Sequence, residues 1–460
     1  MDYVTLSLNV SGKMPMYEQL YRYFVGEIRA GRLTAGEKLP SKRALGAHLR
    51  ISRSTVETAY GMLVAEGYVA AKAKSGYYVA ELVAFRDSVP SSAPCETPPP
   101  PPRSVCDFST ASVDTSLFPY SSWAKLNKEV VYSSPELLQR GDRQGDLALR
   151  QALASFLGEY RGVACSPLQI VVGAGMDYLT ELLVQLLPEN AVFGLEDPGY
   201  GAIRNTIRNN GRCLRFLPLD ASGMDVSALE RSDVTVAYTT PSHQFPMGLT
   251  MPAGRRSQLL RWASSAPDRY LIEDDYDSEF RHTSRPLPAM QGMDGAGRVI
   301  YIGTFSRGLA PSIRIAYLVL PGALLERYRA LFSHSLSTVS RYEQAVMARF
   351  LSEGFYARYL RRAGNLYRRR CAVLAGALET LPGVTIGGSG GGMHFLVTVK
   401  GVAEETLCRR AAERGMPLRG LGSYCSECRP LPSTVVMGYG GIRDEQIPAA
   451  VEILREAWGV

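Results

Sequence analysis

The chain has 460 residues, 46% of them apolar, 21% charged and 9% aromatic, a globular composition with room for about three compact units of roughly 150 residues each. No run approaches the roughly 20 apolar residues of a membrane-spanning helix, which excludes a membrane protein, and MDYVTLSLNVSGKM lacks the order of a secretory signal, so a cytoplasmic location is expected. Eight cysteines scattered from Cys95 to Cys428 argue against a disulfide framework, and the net charge of +7 is a mild basic bias.

Tyr17, Leu20, Tyr21, Phe24 and Ile28 recur at helical spacing between Pro15 and Gly31, predicting a first helix. Ser41 can cap a short second helix with Leu45 and Leu49 on one face. Ser52 can cap a longer third one with Val56, Ala59, Tyr60 and Leu63 inward, ended by Gly67. Tyr68 and Val69, then Tyr77 to Val79, flank the polar stretch from Lys72 to Gly76 as the arms of a hairpin. Two helices about a tight turn followed by a hairpin make a winged helix-turn-helix, expected over residues 1–82. Residues 1 to 81 carry eleven Lys+Arg against seven Asp+Glu, a local excess suited to a nucleic-acid partner.

Residues 88 to 104, SVPSSAPCETPPPPPRS, hold seven prolines, five of them in succession from Pro98 to Pro102. Such a run prefers polyproline II, and a semi-rigid spacer is expected over 83–105; a ligand for proline-binding modules is the other use. From 106 to 460 the pattern changes. QIVV, AVFGL, CLRFL, VTVAY, YLIE, VIYIG and IAYLVL are near-continuous apolar runs, predicting a mostly parallel sheet wrapped by helices over about 140–330. Beyond it, VTIG, HFLVTV and VVMGY alternate with helical stretches and predict a smaller α+β part over about 331–460. The Arg-rich run from 361 to 370 reads as a solvated helix face, with contacts to DNA phosphates as the other use.

Several residues carry chemistry. Gly173-Ala174-Gly175 follows a strand and opens a helix, so its N–H groups suit a phosphate, or it is simply a tight turn. Asp274 and Asp275 stand at the carboxyl end of a strand, where ligands bind in such sheets, and could alternatively cap the next turn. His243 reads equally as a ligand contact or a satisfied core residue. Cys425 and Cys428 have metal-ligand spacing but no second pair to complete a zinc site, so no metal is expected. They read as loop thiols, or as a redox-sensing pair.

LPSKRALGAHLRISRSTVETAYGMLVAEGYV, followed by SGYYV, resembles the DNA-binding domain of GntR-type bacterial regulators. The resemblance implies that Arg43, Ser52, Arg53 and Thr55, with Ser75 and Gly76 of the wing, face double-stranded DNA. GDRQGDLALRQALASFL, GAGMDYLTELL, LEDPGYGAIR, TPSHQFPMG, IEDDYDSEF and YIGTFSRGLAPSIRIAYLVLP resemble, in order, the fold-type I pyridoxal-phosphate aminotransferase domain. Behind a GntR-type head this order resembles the MocR/GabR family of transcription regulators. It implies that Tyr200 stacks on a cofactor ring, that His243 and Gln244 approach the ring hydroxyl, and that Asp274 pairs with the pyridine nitrogen. It further implies Tyr276 near the ring oxygen, and Thr304, Ser306 and Arg314 around the phosphate.

The family's Schiff-base lysine is missing: TFSRGLAPSIR has Arg307 in its place. A guanidinium stays protonated, so it supplies neither the amine that attacks an aldehyde nor a base. After residue 104 the only lysines are Lys125, Lys128 and Lys400, none in a strand-end motif. The arginine that normally holds a substrate carboxylate is also absent, with Val436 in its place and Arg443 as a stand-in a few residues on. The expectation is a homodimeric DNA-binding regulator with a catalytically inactive, ligand-sensing domain. No covalent pyridoxal phosphate is expected; that cofactor held non-covalently, its adducts, or another anionic effector remain open. The alternatives are an active aminotransferase with a DNA-binding appendage, and a ligand-independent repressor.

Overall fold

The computed structural model describes residues 6, 8, 9, 14–81, 105–282, 287–428 and 431–460. The chain forms two compact units, Met1–Pro100 and Pro101–Val460. The spacer expected over 83–105 lies, except for Val105, outside the described residues.

In the first unit, helices α1 (Met16–Arg29), α2 (Lys42–Leu49) and α3 (Arg53–Ala65) precede a hairpin of β1 (Val69–Lys72) and β2 (Gly76–Val79). Both predicted caps form. Ser41 Oγ accepts the Ala44 N–H and Ser52 Oγ accepts the Thr55 N–H, each at 3.1 Å, satisfying donors that a helix start leaves without partners. Between them Arg50 adopts the left-handed region at φ 52°, which stops α2 and turns the chain into α3. Leu20, Phe24, Leu45, Val56, Tyr60 and Leu63 make one core from all three helices, and the Tyr60 hydroxyl donates to the Pro40 carbonyl at 2.9 Å.

The second unit opens with α4 (Tyr120–Ser133) and α5 (Leu147–Arg161) and centres on an eight-stranded sheet. Its strands are β3 (Ile170–Gly173), β4 (Val192–Asp197), β5 (Cys213–Asp220), β6 (Gly223–Met224), β7 (Val236–Thr239), β8 (Tyr270–Asp275), β9 (Val299–Thr304) and β10 (Ala316–Val319), in the order β3-β10-β9-β8-β7-β4-β5-β6. All seven apolar runs are strands. The run from β5 through β4, β7 and β8 to β9 is parallel, whereas β10 lies antiparallel between β9 and β3. Successive residues point to opposite faces. Val236, Tyr238, Ile272, Ile300 and Ile302 pack with α6 (Met176–Leu186), α7 (Gly201–Asn209) and α11 (Gly322–Leu331). Ala237, Leu271 and Val299 pack instead with α8 (Val226–Arg231) and α9 (Ala253–Ser264). The short α10 (Phe305–Gly308) leaves β9 at its carboxyl end.

After α12 (Arg341–Ser352) and α13 (Phe355–Glu379), a second, antiparallel sheet has the order β11 (Val384–Gly387), β12 (His394–Val399), β14 (Thr434–Gly438), β13 (Arg419–Gly420). It packs with α13, α14 (Glu404–Glu413) and α15 (Ile447–Trp458) in a core continuous with α5 and α12.

Two readings need correction. The Arg-rich stretch of α13 is solvated at Arg361, Arg362, Arg368 and Arg369, but Arg370 is buried. Its guanidinium binds Asp114 at 3.0 Å and Asp444 at 2.9 Å, so it ties the start of the unit to its end. Cys425 and Cys428, read first as free loop thiols, are joined in a disulfide. Among the described residues no helix is long and apolar enough to cross a membrane.

Candidate functional site

In the head, Arg43, Ser52 and Arg53 are exposed at the starts of α2 and α3, with Thr55 half-buried in the first turn of α3. Ser52 Oγ, besides capping, lies 2.7 Å from Ser54 Oγ and 2.8 Å from Thr55 Oγ1. Among the described residues no ion pair or hydrogen bond engages the Arg43 or Arg53 guanidinium, whereas Lys42 is paired with Glu57. Ser75 is exposed at the tip of the wing and Gly76 half-buried beside it. Sequence reasoning missed the wing's cations. Lys72 and Lys38 stand over the Tyr78 ring at 4.7 and 5.7 Å, and a Cβ at Gly76 would approach Lys38. Part of the signal was present in the hairpin itself, where Lys72 on one arm faces Tyr77 and Tyr78 on the other, whereas Lys38 lies more than 30 residues earlier in the chain.

In the second unit a cavity of about 220 Å³ opens at the carboxyl ends of β3, β8 and β9. Of the residues predicted, Tyr200, Asp274, Tyr276, Thr304, Ser306, Arg307 and Arg314 all line it. They come from strand ends and the turns after them, up to 114 residues apart, which is the geometry by which parallel sheets build binding sites. Ala174 and Gly175 stand back from it. The Ala174 N–H donates to Thr338 Oγ1 at 2.9 Å and the Gly175 N–H to the Gly173 carbonyl at 2.9 Å. The first turn of α6 instead reaches the cavity, through Met176 and Asp177. Gly175 has φ 92° and a Cβ there would collide with the Arg314 guanidinium, so glycine is required for Arg314 to lie across the turn.

His243 is buried behind the wall rather than in it. Its Nδ1 faces Asp277 Oδ2 at 3.0 Å, and its carbonyl accepts the Tyr276 hydroxyl at 2.9 Å. The cause is upstream: Glu196 accepts from Thr239, Thr240 and Gln244, which pulls the loop after β7 inward and leaves Phe245 and Thr240 on the cavity side. Phe245 could have been suspected from its place in HQFP. Thr110 and Ala111, also in the wall, lie outside every motif, about 30 residues before the first of them, and carry no signal. Arg443 is exposed at the start of a 3-10 turn, outside the cavity wall, and Val436 packs with Phe245, Leu396, Leu421 and Tyr424.

The wall holds three buried polar atoms without a partner among the described residues: Asp274 Oδ1, Ser306 Oγ and Arg307 Nη1. Unpaired buried groups are costly, so each is poised for something that enters. The other Asp274 oxygen accepts the Tyr238 hydroxyl. Burial nevertheless raises the Asp274 carboxyl to about 7. Arg307 lies 5.7 Å from the Tyr276 ring centre. Arg314 pairs with Asp177 at 3.2 Å, both more than half exposed. Such a pair is worth at most about 1 kcal/mol, so an entering anion can take the guanidinium over. These residues fit a flat ring with a proton donor toward Asp274 and an anion toward Ser306, Arg307 and Arg314. They do not fit covalent attachment, because no lysine lies in the cavity wall.

A winged head and a fold-type I sheet with its strand-end cavity define a class: a DNA-binding module joined to an aminotransferase-like domain. Residues 16–79 match the family model described as bacterial regulatory proteins, gntR family, and residues 107–431 match aminotransferase class I and II. The chain is 36% identical to the uncharacterized HTH-type transcriptional regulator YdeL of Bacillus subtilis, covering 99% of this chain and 100% of that one. It is 33% identical to the probable rhizopine catabolism regulatory protein MocR of Rhizobium meliloti, over 98% and 96%. The chain belongs to this MocR/GabR-type family of HTH transcriptional regulators fused to an aminotransferase-fold domain. Among solved structures, the Thermococcus profundus multiple substrate aminotransferase is 27% identical with a TM-score of 0.70, over 77% of this chain and 91% of that one. The α-aminoadipate aminotransferase LysN of Thermus thermophilus, solved with N-(5'-phosphopyridoxyl)-L-leucine, is 26% identical with a TM-score of 0.68, over 77% and 92%.

Proposed function

We propose that this regulator uses its cavity to bind a small anionic effector reversibly, and that it carries out no transamination. The observation that carries the proposal is Arg307 at the end of β9. It presents a permanently charged guanidinium with a buried, unpartnered Nη1, where family resemblance places a nucleophilic lysine. Pyridoxal phosphate, when bound, supplies an electron-withdrawing ring. In this chain Asp274 would face its ring nitrogen, Tyr200 and Tyr276 its faces and edge, and Thr304, Ser306, Arg307 and Arg314 its phosphate. Arg43, Ser52, Arg53, Thr55, Ser75 and Gly76 form the DNA-facing set, within a head spanning 1–82, ahead of a spacer at 83–105 and an effector unit at 106–460. The protein acts in the cytoplasm as a homodimer.

The test is equilibrium dialysis of the full chain with pyridoxal 5'-phosphate, followed by borohydride treatment and intact mass. Saturable binding with an unchanged mass supports the proposal. A stoichiometric adduct that survives denaturation would sink it.

A further inference from the structure

We infer that Cys425 and Cys428 form a reversible dithiol–disulfide site that holds one wall of the effector cavity in place. The structure joins the two sulfurs, and the loop they close is docked rather than free. Asp197, at the carboxyl end of β4 and 4% exposed, accepts three successive backbone N–H groups. They come from Ser426 at 2.8 Å, Glu427 at 2.7 Å and Cys428 at 2.6 Å. The preceding Tyr424 carbonyl accepts the Gly199 N–H at 3.0 Å. On the far side Arg204 of α7 donates to Ser426 Oγ at 2.9 Å.

These anchors fall on residues 197, 199 and 204 and so bracket Tyr200, a wall residue of the cavity. The Tyr424 ring packs edge-on against Phe245, a second wall residue, with centres 5.1 Å apart. Aiming three consecutive amides at one carboxylate demands a tightly constrained loop, and a bond between residues three apart supplies that constraint. Opening it returns backbone freedom that works against the three charge-assisted bonds. The reversible character rests on the reading of the chain as a DNA-binding regulator. The compartment that holds DNA keeps thiols reduced, and disulfides there are usually transient, catalytic or sensing.

A metal is the competing use, since Asp197 and both sulfurs lie within 4.8 Å of one another. Both Asp197 oxygens, however, are already taken by backbone N–H groups, and structural zinc asks for four ligands. The redox partner is a low-molecular-weight disulfide. One cysteine thiolate attacks it, forming a mixed disulfide and releasing one small thiol. The second thiolate then attacks the protein-bound sulfur, forming the Cys425–Cys428 bond and releasing the other small thiol. The protein pair loses two protons and two electrons, and the small disulfide gains them.

The full chain is equilibrated in reduced or oxidised glutathione, its redox state read by thiol alkylation and mass, and amide hydrogen exchange followed in peptides 197–204 and 424–428. Reversible loss and regain of two alkylatable thiols is expected, with exchange in both peptides at least about tenfold faster in the dithiol form. Cys425→Ser and Cys428→Ser should each exchange fast in either buffer. Asp197→Asn should still oxidise but show fast exchange at 424–428 in both. A pair that stays reduced in oxidised glutathione overturns the inference, as does exchange at 197–204 indifferent to redox state, or stoichiometric zinc on the reduced chain. No DNA or effector enters this experiment, so its outcome is separate from that of the effector proposal.

Discussion

Residue 307 decides what the cavity can hold. An ammonium there could lose its proton and bond covalently to an aldehyde; a guanidinium can only donate hydrogen bonds and charge. The surrounding set of Asp274, Tyr276 and Arg314 remains in the wall. Arg307→Lys is therefore expected to let borohydride fix pyridoxal phosphate at that residue, as a mass increment located by peptide mapping. Failure of the variant to trap it would show divergence beyond one position and transfer the reading to an unrelated anion. Asp274 offers a second test. Burial raises its carboxyl to about 7, against the opposing Tyr238 hydroxyl, whereas the unfolded chain releases that proton near pH 4. Stability from the held proton is thus complete below about 4 and lost as pH rises through about 7. Asp274→Asn cannot ionise, so its melting temperature relative to the parent should climb between about pH 4 and 7 and level off above. Glu273 and Glu279, raised to about 7 and 8 by burial, remain in both proteins and cancel in the difference. A flat difference would mean that Asp274 is ionised throughout.

At the scale of elements, the start of α3 combines a structural and a recognition role that two neighbouring substitutions separate. Ser52→Ala removes the cap on the Thr55 N–H and should lower head stability by about 1 kcal/mol in denaturant titration. Arg53→Ala leaves the cap intact. It should instead weaken cognate operator binding by about 1–3 kcal/mol more than random DNA; equal losses on both would show phosphate contact only. These caps were legible because a serine before an apolar period is a local signal, and the seven sheet strands were legible because burial on both faces demands unbroken apolar runs. The reversed direction of β10 was not, since IAYLVL reads the same either way. Nor was the two-residue β6, too short to carry a period. In the cavity, the strand-end residues from Asp274 to Arg314 were legible by motif. The inward pull of Glu196 on the His243 loop was not, because it joins residues more than 40 apart through side-chain hydrogen bonds. Arg370 was misread for a similar reason: its partners Asp114 and Asp444 lie 256 and 74 residues away.

For the whole molecule, the stretch from α4 into the following turn leaves Tyr132 81%, Leu138 79%, Tyr120 63% and Val131 54% exposed. Large apolar side chains exposed along one stretch suit an interaction surface, and the homodimer proposed above would place a second copy of the chain there. A dimer presents two heads to paired half-sites, and linking two weak contacts raises affinity without adding any. Tyr132→Glu combined with Leu138→Glu places charges where both side chains already meet solvent, so each unit should keep its fold, as circular dichroism and an unchanged melting temperature would show. Sedimentation at low micromolar concentration should then shift from dimer to monomer. Affinity for a two-site operator should fall more than about tenfold, while affinity for a single half-site stays the same, because only the linkage between heads has been removed. A parent chain that sediments as a monomer yet binds the full operator tightly would refute the dimer. A double variant that remains dimeric would place the self-association surface elsewhere on the unit and leave these exposed residues without a role in pairing the heads.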